Sequence, residues 1–532
     1  MSEIALVYLI LAVAVVLFAS GRVSVGVVAV GVALALWATG VLPLTVALGG
    51  FGDPTVLFIA SLFVVSEGLD ATGVTAWAGQ QLIDRGGTTR TRLVLFTMLL
   101  VALVTAVISV NGAVAALLPV VVIIAVRTKR QPSQLLLPLV FGAHAGSMLT
   151  LLGTPVNVIV SQYAADLTGR GFGFFEFAFA GIPLLIGAVA VTVVFGPRLI
   201  AERQPSSMPT DLSQHAATLA SQYGLDAAAP VVPAHADVAA SLISRDNGVA
   251  EVVIPPRSSL IGQRVYPGMA ATASGLVVVA IQRQGVELSA GETALRAGDA
   301  VLFQGPWSAI EEHAGDQRVL LVDDPELVRR QAVPLGPGAG RAIAILVLMI
   351  VALATGVVPS AVAGLVAAGA LVVTGVLRPQ AVYRGINWTT VVLMAGMIPL
   401  STAMTETGAA DVIADALVNA VRNLGPYALL AGLFVVTAAF GQLISNMATA
   451  LIVIPIAIAA AADLGVDVRP VLMSVTIAAS AAYLTPIATP VNLMVMNPAG
   501  YRFGDYWKLG LPLLGVTFVV AVFLVPVIWP FG

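Results

Sequence analysis

The residues of this chain that can bind an ion or a small polar solute lie in short motifs of Ser, Thr, Asn and Gly with apolar surroundings. The motif residues are Ser109, Asn111, Gly153, Thr154 and Asn157 in the first half of the chain, and Ser445, Asn446, Ala488, Thr489 and Asn492 in the second half. Hydroxyl and amide groups can hydrogen-bond the oxygen atoms of a carboxylate or a sulfate, while carbonyl oxygens can hold a hard cation. The motifs therefore predict a joint site for a small anion and a cation. No pairing of a nucleophile with a base accompanies them, so we do not expect an enzyme.

The two sets of motifs are copies of each other. Asn111 and Asn446 are 335 positions apart when their numbers are subtracted, and the same offset separates the Thr-Pro-Val-Asn segments that begin at Thr154 and Thr489. A fixed offset between two motifs indicates that the chain contains a duplication. Duplicated halves in an apolar chain are typical of membrane transporters.

The composition places the chain in a membrane. Of its 532 residues, 58% are hydrophobic and 10% are charged, and the mean hydropathy is +0.98. In soluble globular domains about a quarter of the residues are charged. The formal net charge of −3 argues against nucleic acid as a partner, and the lack of Cys excludes disulfides and Cys-ligated metals.

Apolar runs long enough to cross about 30 Å of hydrocarbon occur five times in each half. They lie near residues 4–20, 23–45, 54–70, 134–160, 176–197, 341–357, 360–377, 387–405, 470–497 and 510–529. An odd number of spans per half forces the second half to enter the membrane from the opposite side, so the duplication becomes a pair of inverted repeats. We therefore predict an all-α polytopic membrane protein.

Two further apolar stretches, 93–126 and 426–461, are each interrupted by a Ser/Asn motif and are too short for two comfortable spans. We interpret both as re-entrant hairpins. The first is flanked by basic residues, namely Arg85, Arg90, Arg92, Arg127, Lys129 and Arg130. Because an excess of Lys and Arg marks the cytoplasmic side, the first hairpin should enter from the cytoplasm and the second from outside.

The spans that follow the hairpins contain Gly, Thr and Pro in their middle. The segments 153–155 and 485–490 predict broken helices, since non-helical backbone survives at membrane depth only where protein buries it or where it lines a cavity. The N-termini of half-helices favour anions, whereas unwound carbonyls and helix C-termini coordinate Na⁺. One site can therefore hold both ions without a buried charged side chain.

The composition between the two halves is that of a small soluble α/β insert. We predict a first transmembrane repeat at 1–203, a linker at 204–247, the insert domain at 248–323, a linker at 324–340 and a second transmembrane repeat at 341–532. Strands are predicted near 252–254, 275–281 and 300–303, with turns at 283–285 and 296–299. Because the insert follows a basic span end, we expect it in the cytoplasm.

The motifs of the membrane part resemble those of the divalent anion/sodium symporters, which carry di- and tricarboxylates or sulfate. The segments 445–449 and 484–492 are similar to the hairpin tip and the Thr-Pro break of that family. The first copy departs from the pattern, because Val110 separates Ser109 from Asn111. The resemblance implies a secondary transporter of the inner (plasma) membrane that couples a small divalent anion to Na⁺, moves like an elevator and dimerises through its scaffold.

The resemblance also implies roles for the motif residues. The implied substrate-binding residues are Ser109, Asn111, Thr154, Asn157, Ser445, Asn446, Thr489 and Asn492. The implied Na⁺ sites involve Ser109, Asn111 and Gly153 in the first half, and Asn446 and Ala488 in the second. The choice between sulfate and C4-dicarboxylates as the substrate stays open, since hydroxyl, amide and helix-end donors serve either.

The insert resembles the ligand-binding TrkA-C (RCK C-terminal) module in the segments 251–256 and 295–299. This resemblance implies regulation by a small cytoplasmic ligand such as a nucleotide, and a passive structural insert is the alternative. For the whole chain the alternatives are a proton-coupled or antiporting anion transporter of the same superfamily, a regulated cation transport protein, and a membrane sensor that binds its solute without flux. The sequence also leaves open the roles of His144 and Glu67.

Overall fold

The structure is a computed structural model that describes residues 2–20, 22–74, 77, 89–128, 130–203, 219, 222, 243, 247–271, 275–288, 291–313, 318–323, 328, 335–336, 338–421 and 424–532. The chain divides into two compact units. The membrane unit comprises Met1–Leu69, Ala78–Pro209 and Gly340–Gly532, and the insert comprises Asp70–Trp77 and Thr210–Ala339. The predicted linkers 204–247 and 324–340 lie largely outside the described residues, as do Arg85 and Lys129.

Helices build the membrane unit. In the first half they are Glu3–Ser20, Val25–Ala38, Leu44–Ala47, Pro54–Ala71, Arg90–Thr105, Val110–Arg127, Ser133–Gly146, Pro155–Thr168 and Ala178–Leu199. In the second half they are Ala339–Thr355, Ser360–Val373, Pro379–Gly385, Trp388–Glu406, Ala409–Val421, Pro426–Gly441, Asn446–Leu464, Val468–Ala479, Pro490–Ala499, Tyr506–Val519 and Val525–Ile528. A π-helical segment, Val520–Leu524, joins the last two.

The predicted hairpins and broken helices are present. The first hairpin consists of Arg90–Thr105 and Val110–Arg127, and the second hairpin of Pro426–Gly441 and Asn446–Leu464. The first broken helix consists of Ser133–Gly146 and Pro155–Thr168, separated by the first break at 147–154. The second broken helix consists of Val468–Ala479 and Pro490–Ala499, separated by the second break at 480–489.

The offset of 335 positions holds for whole helices as well as for motifs. Val25–Ala38 maps onto Ser360–Val373 at both ends, and the second parts of the two broken helices begin at Pro155 and Pro490. The offset predicts that the first span returns at 339–355, and helix Ala339–Thr355 confirms this. The duplication therefore sets the helix boundaries of the second half.

By length and composition, five helical segments among the described residues are long and apolar enough to cross a membrane. They are Pro54–Ala71, Ala178–Leu199, Trp388–Glu406, Asn446–Leu464 and Phe503–Ile528. Shorter apolar helices supply other predicted spans, because the runs near 134–160 and 470–497 are each divided into two half-helices. The architecture confirms a multi-pass helical membrane protein.

Polar contacts at the two ends of the membrane unit show that equivalent spans run in opposite directions. The Glu176 carboxylate, just before the last span of the first half, accepts hydrogen bonds from Arg469 Nη2 at 2.6 Å and from Trp529 Nε1 at 2.8 Å. Trp529 ends the last span of the second half. At the opposite end, Arg203 follows the first-half span and pairs at 3.1 Å with Asp505, which precedes the second-half span. The start of each span thus lies beside the end of the other, as inverted repeats require.

The two broken helices pack against each other across the repeats. The first part of each one contacts the second part of the other. The last long span of each half also approaches a break closely. A Cβ atom on Gly181 would lie 2.2 Å from a backbone oxygen of the first break, and one on Gly510 would lie 2.3 Å from a backbone oxygen of the second. Each break is therefore enclosed by tightly packed protein, where irregular backbone is tolerated at membrane depth.

The described part of the insert is built on an antiparallel sheet. Its strands are β1 (Asn247–Val253), β2 (Arg264–Val265), β3 (Ala270–Ala271), β4 (Leu276–Arg283), β5 (Val286–Glu287), β6 (Thr293–Ala294), β7 (Ala300–Pro306) and β8 (Leu320–Leu321). The sheet order is β3, β4, β7, β1, β8, while β5 pairs with β4 and β2 pairs with β6. The predicted strands match β4, β7 and β1 at its centre. Positive φ angles of 53° at Gln284 and 78° at Gly285 form the predicted hairpin turn between β4 and β5.

An ion pair fixes the predicted tight turn before β7. The buried Asp299 carboxylate accepts hydrogen bonds from Arg283 Nε at 2.7 Å, from Arg283 Nη2 at 2.8 Å and from the backbone N–H of Arg296 at 2.7 Å. Burial alone would raise the pKa of the Asp299 carboxyl, but the hydrogen bonds outweigh burial and hold this pKa below its usual value.

Candidate functional site

A cavity of about 400 Å³ lies in the membrane unit, where both hairpin tips and both breaks meet. Eight of the motif residues line it: Ser109, Asn111, Gly153, Thr154, Ser445, Asn446, Ala488 and Thr489. The inverted repeats thus bring together two copies of the motifs that are far apart in the sequence. The cavity walls also include residues of helices outside the hairpins and broken helices, among them Val25 and Met349.

Besides Val25–Ala38 and Trp388–Glu406, four helices of the hairpins and broken helices begin at this cavity among the described residues. They are the second arms of the two hairpins and the second parts of the two broken helices, starting at Val110, Asn446, Pro155 and Pro490. A helix N-terminus has unpaired backbone N–H groups and carries about half a positive charge. Four such ends at one cavity create a positive potential that favours an anion.

Side chains of the motif residues cap these helices. The Ser445 hydroxyl accepts a hydrogen bond from the backbone N–H of Ala448 at 3.3 Å, and the Ser109 hydroxyl accepts one from Gly112 at 3.2 Å. The Thr489 hydroxyl accepts one from the backbone N–H of Asn492 at 3.4 Å. A hydroxyl that accepts in this way keeps its own proton available to donate. The caps therefore hold hydroxyl donors at the cavity wall.

The cavity wall has no formal charge in the part of the chain that the structure describes, since its lining residues include no Asp, Glu, Lys or Arg. The binding potential therefore comes from backbone dipoles and neutral side chains. This agrees with the sequence argument that broken helices can hold ions without buried charged side chains.

Asn446 has an oxygen atom that lacks a partner. Its Oδ1 atom is buried and makes no hydrogen bond in the structure. The hydroxyl oxygen of Thr449, one helical turn further on, is in the same situation. A buried polar atom without a partner is costly, and such groups commonly face an ion or a water molecule. The Asn446 oxygen is suited to a cation or to a hydrogen-bond donor.

The structure places Asn157 and Asn492 behind the cavity wall, and both are fully buried. The Asn157 amide nitrogen donates to the carbonyl oxygens of Ser147 and Thr150 at 3.0 and 2.8 Å. Asn492 makes the equivalent bonds to Ala482 and Thr485 at 2.7 and 2.9 Å, 335 positions later. Each asparagine therefore braces the unwound backbone of its own break.

Gly153 is required by the geometry of the first break. A Cβ atom on this residue would lie 2.1 Å from the carbonyl oxygen of Ser147. Ala488 occupies the equivalent position of the second break and carries a Cβ atom. The two breaks thus differ in local backbone packing.

The cavity contains polar residues that the sequence motifs did not single out as site residues: His144, Ser147, Ser480, Asn387, Thr389 and Thr390. The Asn387 side chain accepts a hydrogen bond from the backbone N–H of Thr390 at 3.1 Å and caps the helix Trp388–Glu406. An Asn directly before an apolar run is a helix-start signal, so the sequence contained a clue to this cap. It contained no clue that the cap faces the cavity.

The citrate transporter family (CitMHS) matches residues 15–477 of this chain and, in an overlapping match, residues 426–531. The uncharacterized transporter YfbS of Escherichia coli (strain K12) is 31% identical over 608 aligned positions, which cover 99% of this chain and 100% of that protein. The probable sodium/sulfate cotransporter 3 of Chlamydomonas reinhardtii is 26% identical over 294 positions, which cover 52% of this chain and 32% of that protein. Among solved structures, the YdaH transporter of Alcanivorax borkumensis aligns with a TM-score of 0.48 and 16% identity, covering 90% of this chain and 86% of that chain.

Proposed function

Because this chain belongs to the citrate transporter family, we propose that it is a secondary active transporter that couples the entry of a small divalent anion to Na⁺. The observation that carries the proposal is the uncharged cavity at which four helix N-termini meet. Sulfate, a C4-dicarboxylate and citrate are the candidate substrates, since each presents carboxylate or sulfate oxygens to N–H and hydroxyl donors.

The anion would bind between the two repeats. Backbone N–H groups at the starts of the four helices and the hydroxyls of Ser109, Ser445 and Thr489 supply the donors. Two negative charges are favoured over one because the positive potential comes from several dipoles at once. Specificity then depends on the distance between the two sets of donors across the cavity.

Na⁺ would bind at the hairpin tips beside the anion. Asn446 offers an oxygen atom without a partner, and the first arms of the hairpins end at Thr105 and Gly441, a few residues before the tips. Hard cations prefer such oxygen ligands. The cation sites implied by the motifs, at Ser109, Asn111 and Gly153 and at Asn446 and Ala488, remain part of this proposal. A bound cation also reduces the repulsion that a divalent anion would meet at carbonyl oxygens.

Transport would follow an elevator mechanism. The hairpins and broken helices would move together as one packed body, and the helices Glu3–Ser20, Val25–Ala38, Ala339–Thr355 and Ser360–Val373 would form the scaffold. In support, the cavity wall contains residues of both parts, including Val25 and Met349 of the scaffold. We further propose an inner-membrane homodimer, as the resemblance to the divalent anion/sodium symporters implies.

The test is uptake of labelled sulfate, succinate and citrate, each separately, into proteoliposomes that contain the purified full chain. We expect accumulation of at least one anion with an inward Na⁺ gradient and none with K⁺ in its place. A pH gradient in Na⁺-free buffer is the comparison. Accumulation that responds to pH and ignores Na⁺ would contradict sodium coupling and favour the proton-coupled alternative.

The insert would regulate transport from the cytoplasm. Deleting residues 206–338 and closing the gap with a short linker should leave substrate binding intact and change the rate of uptake. Loss of all binding by a well-folded deletion variant would contradict a regulatory role. A ligand of nucleotide type for the insert is a prediction from its resemblance to the TrkA-C module.

A further inference from the structure

His144 connects the two repeats at the cavity. It lies in the first part of the first broken helix, lines the cavity and is 3% exposed. Its Nε2 atom is 3.1 Å from Oδ1 of Asn492, in the second part of the second broken helix. The same Nε2 atom is 3.5 Å from the hydroxyl oxygen of Thr489, the residue that caps that half-helix. Nε2 of His144, a residue of the first repeat, thus contacts the second repeat at the C-terminal end of the second break.

The hydrogen bonds around Asn492 fix the direction of this contact. The amide nitrogen of Asn492 donates to the carbonyl oxygens of Ala482 and Thr485, which accounts for both of its protons. Its Oδ1 atom must therefore face His144, and an amide oxygen can only accept. Nε2 of His144 must carry a proton. The neutral Nε2–H tautomer and the imidazolium both satisfy this requirement, so protonation of the ring would leave the bond in place.

The surroundings of the ring hold it in position. Tyr483, within the second break, packs edge-on against the imidazole with 5.9 Å between ring centroids and 84° between ring planes. The described helices that pack against this half-helix carry their charged residues at their distant ends, namely Arg90, Arg92, Arg127 and Arg198. Tyr483 thus contacts the His144 ring directly, whereas these arginines lie at the far ends of their helices.

Within the described parts of the chain, no side chain of the opposite repeat makes an equivalent contact with the first break. Subtraction of the 335 offset pairs Asn492 with Asn157, whose Oδ1 atom is buried and has no hydrogen-bond partner. Addition of the offset to His144 leads to Ala479, which has no donor in its side chain. Among the described residues, only the asparagine of the second break is held by a side chain of the other repeat. The two ends of the site are therefore built differently although the repeats are equivalent.

We propose that His144 is a positioning residue that holds the second break in its binding geometry from the opposite repeat. It acts through Asn492, which braces the unwound backbone, and through Thr489, which lines the cavity where the anion would bind. The second break is thereby organised before substrate arrives, whereas the first break keeps an oxygen atom free to adjust. This inference rests on the proposed transport function for its kinetic consequences and on geometry alone for the contact itself.

The kinetic test compares His144→Gln with His144→Asn in the uptake assay. A glutamine places its amide nitrogen near the position of Nε2 and can still donate to Asn492, whereas asparagine is one methylene shorter and cannot reach. Loss of one buried hydrogen bond corresponds to roughly a tenfold effect. We expect His144→Asn to raise KM about tenfold with little change in maximal rate, and His144→Gln to stay within about twofold of the unchanged protein. Equal behaviour of the two variants, or a lower maximal rate with unchanged KM, would overturn the proposal.

A spectroscopic test does not depend on transport. The chain has 4 His, so ¹⁵N-histidine labelling gives few signals, and the His144→Gln variant identifies the one that belongs to His144. We expect the Nε2–H form between about pH 6 and pH 8 in the full chain without substrate. An Nδ1–H tautomer would refute the contact. If the unchanged protein takes up none of the three anions, the proposed substrate class fails, and the spectrum still decides whether His144 donates to Asn492.

Discussion

Replacing Asn492 by alanine should destabilise the protein by removing the brace of the second break. The fully buried amide donates two hydrogen bonds, of 2.7 and 2.9 Å, to backbone carbonyls that then lose their partner. Each buried carbonyl left unpaired costs roughly 1–3 kcal/mol, so the variant should lose about 4 kcal/mol of unfolding free energy. Nε2 of His144 also loses its acceptor, which adds about 1 kcal/mol.

The matched variant in the other repeat is Asn157→Ala. It removes two equivalent hydrogen bonds of 3.0 and 2.8 Å, and its Oδ1 atom has no partner to lose. We therefore expect a loss of about 4 kcal/mol, slightly smaller than that for Asn492→Ala. SDS titration of the full chain in detergent micelles, followed by tryptophan fluorescence, measures both values.

The control is Asn446→Ala, because Asn446 lines the cavity and its Oδ1 atom makes no hydrogen bond. This variant should abolish uptake while its expression and unfolding free energy stay close to those of the unchanged protein. The reasoning would be refuted if Asn492→Ala kept full stability and lost uptake in the same way as Asn446→Ala. Asn492 would then contact the substrate, as its motif predicts, and would not act as a brace.

Two further predictions concern the first break and the insert. Gly153→Ala should prevent normal folding or uptake, because the added Cβ would lie 2.1 Å from the Ser147 carbonyl oxygen. Ala488→Gly, at the equivalent position of the second break, should have only a small effect on folding and uptake. Size-exclusion profiles and uptake rates measure both variants, and equal effects would contradict the prediction. Asp299→Asn should speed hydrogen exchange at β4 and β7 about tenfold at pH 7, since a buried ion-paired carboxylate is lost. Because the pKa of Asp299 is lowered in the folded chain, the stability it contributes is present above the ordinary Asp pKa and disappears as the pH falls through the lowered value. After the rates are corrected for intrinsic hydrogen exchange, the unchanged protein should lose this stability as the pH falls, and the Asp299→Asn variant should not.

Much of the fold follows from one number in the sequence. The offset of 335 positions predicts the helix Ala339–Thr355, and the Ser/Asn motifs predict where the hairpins turn. Both work because a duplicated sequence repeats its apolar periodicity and its turn signals in the same register. The helix Ala409–Val421 was not predicted, since two aspartates interrupt its apolar pattern. Such amphipathic helices lack the continuous apolar run by which spans are recognised.

The sequence predicts which residues gather at the site better than it predicts which of their side chains face the cavity. Eight motif residues line the cavity, but Asn157 and Asn492 turn away from it. A polar residue in an apolar half-helix can either face a cavity or satisfy unwound backbone, and sequence spacing cannot separate the two because the break itself has no regular period. The contact between His144 and Asn492 spans 348 positions. No local pattern encodes such a contact; it arises only when the two repeats are packed together.

The packing of the broken helices across the repeats has a consequence for how the chain is made. The first part of each broken helix packs against the second part of the other, so the first part of the first broken helix has no such partner until residues near Ala499 have been synthesised. A ribosome must complete the first repeat, the insert and most of the second repeat before the two broken helices can pack against each other. In the sequence, most of the insert unit, Thr210–Ala339, comes between the two repeats. The contacts between the two broken helices therefore form only after most of the chain has been made.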